Sequence, residues 1–161
     1  MKNNIIIRNA DYDDAIEVAN VLVDFYNMEN TEEAISVFNE ELKKNHQYIL
    51  AIDGKQIIGI VTWLMHGLPK HGLFELDRIC ILKKSRGKGI GRKLKNALIE
   101  DAKEWYSSVN ASIRKLYLLT HEDNKSAHAF YEKVGFTHET TLKDHYYKNK
   151  DERVYSIFFN N

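Results

Sequence analysis

Leu73-Phe-Glu-Leu-Asp-Arg-Ile-Cys-Ile-Leu82, Lys83-Lys-Ser-Arg-Gly-Lys-Gly-Ile-Gly91 and Arg92-Lys-Leu-Lys-Asn-Ala-Leu-Ile99 follow one another without interruption. Ile79, Cys80, Ile81 and Leu82 form a short apolar run rich in β-formers, which predicts a strand. Ile90, Leu94, Ala97, Leu98, Ala102 and Trp105 recur three or four apart, which predicts an amphipathic helix. Between them lies a turn in which Gly87, Gly89 and Gly91 alternate. The reading is therefore strand, glycine-rich turn, helix.

The charges on this helix oppose its dipole. Arg86, Lys88, Arg92, Lys93 and Lys95 crowd the N-terminal end, while Glu100, Asp101 and Glu104 fall in the C-terminal half. A helix N-terminus already presents unpaired N–H groups and partial positive charge, so acidic residues are the stabilising choice there. A bound anion resolves the conflict, and phosphate is the natural one. Glycines without Cβ let backbone N–H groups converge on such a ligand. The alternative is a tight turn with glycines for geometry and lysines for solubility.

Neither Gly-x-x-x-x-Gly-Lys-Ser/Thr nor Gly-x-Gly-x-x-Gly occurs here. Arg86-Gly87-Lys88-Gly89-Ile90-Gly91 instead resembles the acetyl-CoA pyrophosphate loop of the GNAT superfamily of N-acetyltransferases, Gln/Arg-x-x-Gly-x-Gly/Ala. Arg86, Gly89 and Gly91 fill its fixed positions. Downstream, Asn124-Lys-Ser-Ala127-His-Ala-Phe130-Tyr131-Glu-Lys-Val-Gly135-Phe136 is similar to the family's Asn-x-x-Ala-x-x-Phe-Tyr-x-x-x-Gly-Phe segment. The two motifs together are more specific than either alone and span about half the chain.

The rest reads as one domain, residues 1–161. Residues 5–8 predict a strand. A helix follows with Ala15, Ile16, Ala19, Leu22, Val23 and Tyr26 on one face. A second begins at Thr31 with Ile35, Phe38 and Leu42 inward. Gln47–Ile52 and Gln56–Leu64 predict strands joined at Asp53-Gly54, a hairpin signal. Gly67–Gly72 is a loop. Leu116–Leu119 is a buried-type strand, and Ser126–Val134 a short helix ended by Gly135. Thr137–Leu142 and Arg153–Phe159 form a closing antiparallel pair. The order β-α-α-β-β-β-α-β-α-β-β predicts α/β with a mixed sheet, or α+β in some schemes. It resembles the GNAT fold, whose central parallel strands splay apart and which carries helices on its sheet.

The 161 residues carry 23 basic and 23 acidic side chains, and 43% are hydrophobic. Zero net charge and the lack of an aromatic–basic stacking platform argue against nucleic acid. No long apolar span or signal-peptide core suggests a membrane or export, so a cytoplasmic location is expected. Cys80 is alone, which excludes an intramolecular disulfide, and it reads as a buried hydrophobe rather than a nucleophile. The seven histidines are scattered without zinc-like spacing, and no metal is expected.

The resemblance implies acetyl transfer from acetyl-CoA to a primary amine by direct attack in a ternary complex. It implies that backbone groups of Ile79, Cys80 and Ile81 pair with the pantetheine arm, with the N–H of Ile79 facing the oxyanion. It assigns the pyrophosphate to Arg86, Gly87, Lys88, Gly89, Ile90, Gly91 and Arg92, and further cofactor contacts to Asn124, Ala127, Phe130 and Tyr131. Asn124 also reads as a plain N-cap. Tyr131 reads as core by spacing; the resemblance makes it the acid that protonates the departing thiolate. Glu75 and Asp77 share one strand face and are the candidate bases, with His121 a further option. Their structural alternative is pairing with Arg78 or another cation.

The acceptor is expected to be a small amine, with a peptide α-amine second. Tyr146 and Tyr147, in the segment joining the last two strands, are candidate acceptor contacts. They resemble the tyrosine-bearing loop of enzymes acting on protein N-termini, and strand-pair packing is the alternative. A non-catalytic acyl-CoA-binding module is the competing class. Nothing in the sequence fixes the oligomeric state, a homodimer being one option.

Overall fold

The computed structural model describes residues 4–160. Its elements are β1 (Ile6–Asn9), α1 (Ala15–Phe25), α2 (Thr31–Lys43), β2 (Gln47–Asp53), β3 (Gln56–His66), β4 (Leu73–Ile81), α3 (Ile90–Ser108), β5 (Lys115–His121), α4 (Lys125–Lys133), β6 (Thr137–Tyr147) and β7 (Lys150–Phe158). The order of helices and strands is the expected one. The strands hydrogen-bond as β1-β2-β3-β4-β5-β7-β6 in a seven-stranded mixed sheet, so the fold class is α/β. β4 and β5 are parallel, paired at Leu73↔Lys115, Phe74↔Leu116 and Glu75↔Tyr117. That ladder pairs three residues of each strand. Two compact units emerge: residues up to Leu64 with Arg78–Asp101, and Met65–Asp77 with the chain from Ala102 onward.

In the first unit, α1 follows a short turn capped by Asp11, whose side chain accepts the Asp13 N–H. α1 buries Val18, Ala19, Val21 and Leu22. Ile16, expected on the inner face, is 61% exposed. It lies two residues before Val18, more than half a helical turn away, so it cannot share that face. α2 starts at an N-cap, Asn30, whose side chain accepts the Glu33 N–H at 2.9 Å. Ala34 and Phe38 of α2 join the α1 residues against Tyr48 and Leu50 of β2, Ile57 and Ile60 of β3, and Cys80 of β4. Removing one such large side chain costs about 3–5 kcal/mol.

Gly59 explains how α3 packs on β3. A Cβ there would stand 3.1 Å from Leu94 Cδ1 and 3.2 Å from the Cys80 carbonyl oxygen. Farther along α3, Asp101 accepts bonds from Trp63 Nε1 at 2.8 Å and Asn9 Nδ2 at 2.9 Å. This acidic residue, unfavourable by the dipole rule, is thus used in tertiary bonding.

In the second unit the last turns of α3 bury Tyr106, whose hydroxyl donates to the Leu73 carbonyl at 2.7 Å. The sequence spacing pointed to Trp105, which is only half-buried. Tyr131, Phe136 and Tyr155 form a ring cluster with centroids 5.8 and 6.0 Å from Tyr131. Gly72 adopts φ 58°, and its carbonyl accepts from the N–H groups of Arg114 and Lys115, at 2.8 and 3.0 Å. A side chain there would collide with Ser112 O at 2.4 Å. The Gly67–Gly72 loop therefore anchors the starts of β4 and β5. β6 is one of the two edge strands of the order, and it is exposed along nearly its whole length. No helix among the described residues is long and apolar enough to cross a membrane.

Candidate functional site

In the first unit, β4 ends at Ile81 and α3 begins at Ile90. Gly87 and Gly89 have φ 75° and 76°, the left-handed region. An ideal Cβ at either meets nothing within 4 Å, so conformation, not crowding, requires glycine there. Gly91 does not share this geometry; it is a buried residue in the first turn of α3. The Lys93 N–H bonds Gly89 O at 3.2 Å, so the N–H groups of the preceding residues are those that a helix start leaves unpaired. Ile90 is buried, whereas Lys88 and Arg92 are exposed.

Arg86 is extended; its Nε donates to Ile81 O at 3.0 Å, and its guanidinium lies 5.8 Å from the Phe25 ring. The side chain is thereby held at the mouth of the turn, and the Ile81 carbonyl is already engaged. Burial, and then the charge of Arg92, hold the Lys95 ammonium below its ordinary value. The Arg92 contribution, the smaller of the two, is repulsion of the kind an anion relieves. The residues present fit a diphosphate. Cys80 is buried, and burial pushes its thiol up to about 12, which removes it as a nucleophile at neutral pH. Ile79 and Ile81, half-buried, complete the end of β4.

Arg78 pairs with Glu41. Its Nη1 and Nη2 clamp Glu41 at 2.7 and 2.9 Å, and Nη1 reaches the Tyr48 hydroxyl at 3.2 Å. Burial raises the Glu41 carboxyl, but the bonds from Arg78 and Tyr48 outweigh it, leaving the carboxyl below its ordinary value.

In the second unit, Asn124 caps α4, its Oδ1 accepting from the Ala127 N–H at 3.3 Å and from the Ser126 hydroxyl at 3.2 Å. The cap uses the oxygen and leaves the Nδ2 amide without a bond among the described residues. The Phe130 ring lies tilted against Tyr131, centroids 5.5 Å apart. Tyr131 is 9% exposed, and its hydroxyl has no hydrogen-bond partner among the described residues. Burial pushes that phenol up to about 12.

Glu75 meets two groups that the sequence reading did not name. His66 Nε2 lies 2.6 Å from Glu75 Oε2, and the Tyr117 hydroxyl donates to the same oxygen at 3.3 Å. The His66 and Tyr117 rings are 5.5 Å apart. Burial, then the charge and hydrogen bond of Glu75, push the Tyr117 phenol up. Asp77 is exposed on the same strand face. Tyr146, raised by burial and then by Glu75, Asp77 and Glu152, feels this acidic group from β6. Tyr146 and Tyr147 are 60% and 59% exposed. They lie within β6 rather than in a loop, because the strand continues through a register shift to Tyr147↔Lys150. His121 is held differently: its Nδ1 pairs with buried Glu152.

The acetyltransferase (GNAT) family profile matches residues 15–136. The spermine/spermidine N(1)-acetyltransferase of Bacillus subtilis is 32% identical over 114 residues, 65% of this chain and 69% of that protein. N-alpha-acetyltransferase 30 of Schizosaccharomyces pombe is 29% identical, over 69% and 71% of the two chains. Among solved structures, a GNAT-family acetyltransferase from Streptococcus pneumoniae superposes with TM-score 0.74 at 24% identity, covering 98% of this chain and all of that one. The spermidine N-acetyltransferase of Vibrio cholerae gives 0.73 at 22% identity, covering 96% and 93%. The profile takes in the glycine turn, the basic start of α3 and the Asn124–Phe136 segment alike, and the chain belongs to the acetyltransferase (GNAT) family, as an acetyl-transferring enzyme.

Proposed function

We propose that the enzyme transfers the acetyl group of acetyl-CoA to a small primary amine, by direct attack in a ternary complex. The observation that carries the donor is the left-handed Gly87–Gly89 turn opening into a cation-rich helix start. There Arg86, Lys88 and Arg92 supply charge, and the N–H groups before Lys93 supply donors to a diphosphate. Backbone groups at Ile79 and Cys80 would hold the pantetheine arm as an added strand. One N–H there facing the oxyanion is worth roughly 3–4 kcal/mol in other enzymes.

Tyr131 brings an unshared hydroxyl. With the phenol near 12 and a thiol ordinarily at ~8.5, complete proton transfer to sulfur is uphill. Its contribution is a hydrogen bond to the charge developing on the leaving sulfur. Glu75 and Asp77 supply negative charge that suits a cationic acceptor, and Glu75 already holds His66 and Tyr117.

Two observations support the small amine: the carboxylates around Tyr146, and a relative named for spermine and spermidine. A peptide α-amine is the second reading, favoured by the exposed tyrosines of β6 and by the relative named N-alpha-acetyltransferase 30. The test is acetyl-CoA turnover with monoamines, diamines, spermidine and N-terminal peptides, read as free thiol. Highest kcat/KM for a di- or polyamine supports the first reading. Turnover restricted to peptides replaces it with the second.

A further inference from the structure

We propose that His66, not Glu75, takes the proton from the acceptor amine, and that Glu75 orients it. The inference rests on the acetyl-transfer reading above. His66 ends β3, with Nε2 2.6 Å from Glu75 Oε2. An ionised carboxylate only accepts hydrogen bonds, so Nε2 carries the hydrogen whether the ring is neutral or charged. The nitrogen left to accept a proton is then Nδ1, which has no partner among the described residues. The ring is 36% exposed, enough for an amine to approach it, whereas Glu75 is 14% exposed. The Glu75 oxygen that faces His66 also receives the Tyr117 hydroxyl, so two donors already occupy it.

This division of labour is the general one for a carboxylate bound to an imidazole: the carboxylate fixes the tautomer and stabilises the imidazolium. The titratable groups against the His66 ring are Glu75 on β4 and Tyr117 on β5; through Glu75 and Tyr117 the cluster feels Asp77 and Tyr146, and Tyr146 also feels Glu152.

The proton inventory closes. The acceptor arrives as R–NH3⁺ and gives one proton to Nδ1, leaving an imidazolium paired with the Glu75 carboxylate. The freed lone pair forms the C–N bond, and the C–S bond breaks with its electron pair on sulfur. The second proton shed by nitrogen ends on that sulfur as the thiol. The imidazolium returns its proton to water.

The test measures kcat/KM against pH for the parent, His66→Asn, His66→Gln and Glu75→Gln, using acetyl-CoA and the best amine of the panel. Both His66 variants are expected to lose about 10²–10⁴-fold at neutral pH. The deficit should close as the pH approaches the amine's own pKa, where the neutral amine no longer needs a base. Glu75→Gln keeps an acceptor for Nε2–H but loses the charge, so its acidic limb should move to lower pH. Ring-nitrogen NMR of the parent should show Nδ1 titrating while Nε2 stays protonated. An acidic limb retained in both His66 variants and abolished in Glu75→Gln overturns the inference, as does titration at Nε2. A parent that turns over no amine overturns the acetyl-transfer reading itself, and the inference with it.

Discussion

Replacing Gly89 with alanine tests the phosphate loop through backbone conformation alone. Gly89 sits at φ 76°, and a Cβ there would meet no atom within 4 Å. The substitution therefore introduces no clash inside the chain; it introduces the left-handed penalty, about 1–2 kcal/mol for an L-residue. The loop is short and exposed, so the free protein can relax out of the strained conformation with little loss of stability. Binding a diphosphate on converging N–H groups requires the strained form again. The penalty then appears in affinity, as about a 5- to 30-fold weaker Kd for coenzyme A. Titration calorimetry with coenzyme A and with pantetheine, which lacks the pyrophosphate, separates the parts of the ligand. The expected result is weaker coenzyme A binding, unchanged pantetheine binding and a melting temperature near the parent's. Equal affinity for coenzyme A in parent and variant, or equal loss for both ligands, refutes the loop assignment.

Tyr131→Phe should lower kcat by up to about 10²-fold with unchanged coenzyme A affinity, since the ring keeps its packing on Phe136 and Tyr155; full activity would remove the hydroxyl from the reaction. Because that phenol is raised to about 12, no alkaline loss of rate from its ionisation should appear until the pH nears that value. Arg78→Met strands the Glu41 carboxylate and should cost up to about 3 kcal/mol in denaturant unfolding. The Glu41 carboxyl is depressed in the folded state, so its stabilisation is present above the ordinary carboxylate value and lost as pH falls through the folded one; Arg78→Met should lose that acid dependence. Tyr146→Ala and Tyr147→Ala should reduce acceptor kcat/KM without changing coenzyme A binding, and indifference of every acceptor to both discards β6 as a contact surface.

The strand, glycine turn and helix at residues 73–108 were legible because their signals are local: periodicity, φ-permissive glycines and misplaced charge. Element order followed for the same reason. What escaped was set by pairing. Ile16 satisfies an apolar spacing, yet the face that α1 buries is fixed by α2 and β2, and the phase falls on Val18 and Leu22. Trp105 and Tyr106 are adjacent aromatics, and the Leu73 carbonyl decides which is buried. The tyrosines of β6 read as loop residues because Lys143–Tyr147 is polar, but an edge strand tolerates exposure on both faces. Glu75 was recognisable as an unusual carboxylate; its partners were not, since His66 and Tyr117 come from strands whose register no sequence pattern reveals.

The central claim is direct acetyl transfer from acetyl-CoA to an amine, with no acyl-enzyme. Intact-protein mass spectrometry, with thiol and product analysis in the same reaction, addresses it most directly, using acetyl-CoA with and without spermidine. The expected result is thiol and N-acetylspermidine in equal amounts only when spermidine is present, with the protein mass unchanged throughout, in line with burial of the Cys80 thiol. Acetylated protein accumulating without amine, or coenzyme A binding with no amine-dependent thiol release, would contradict it.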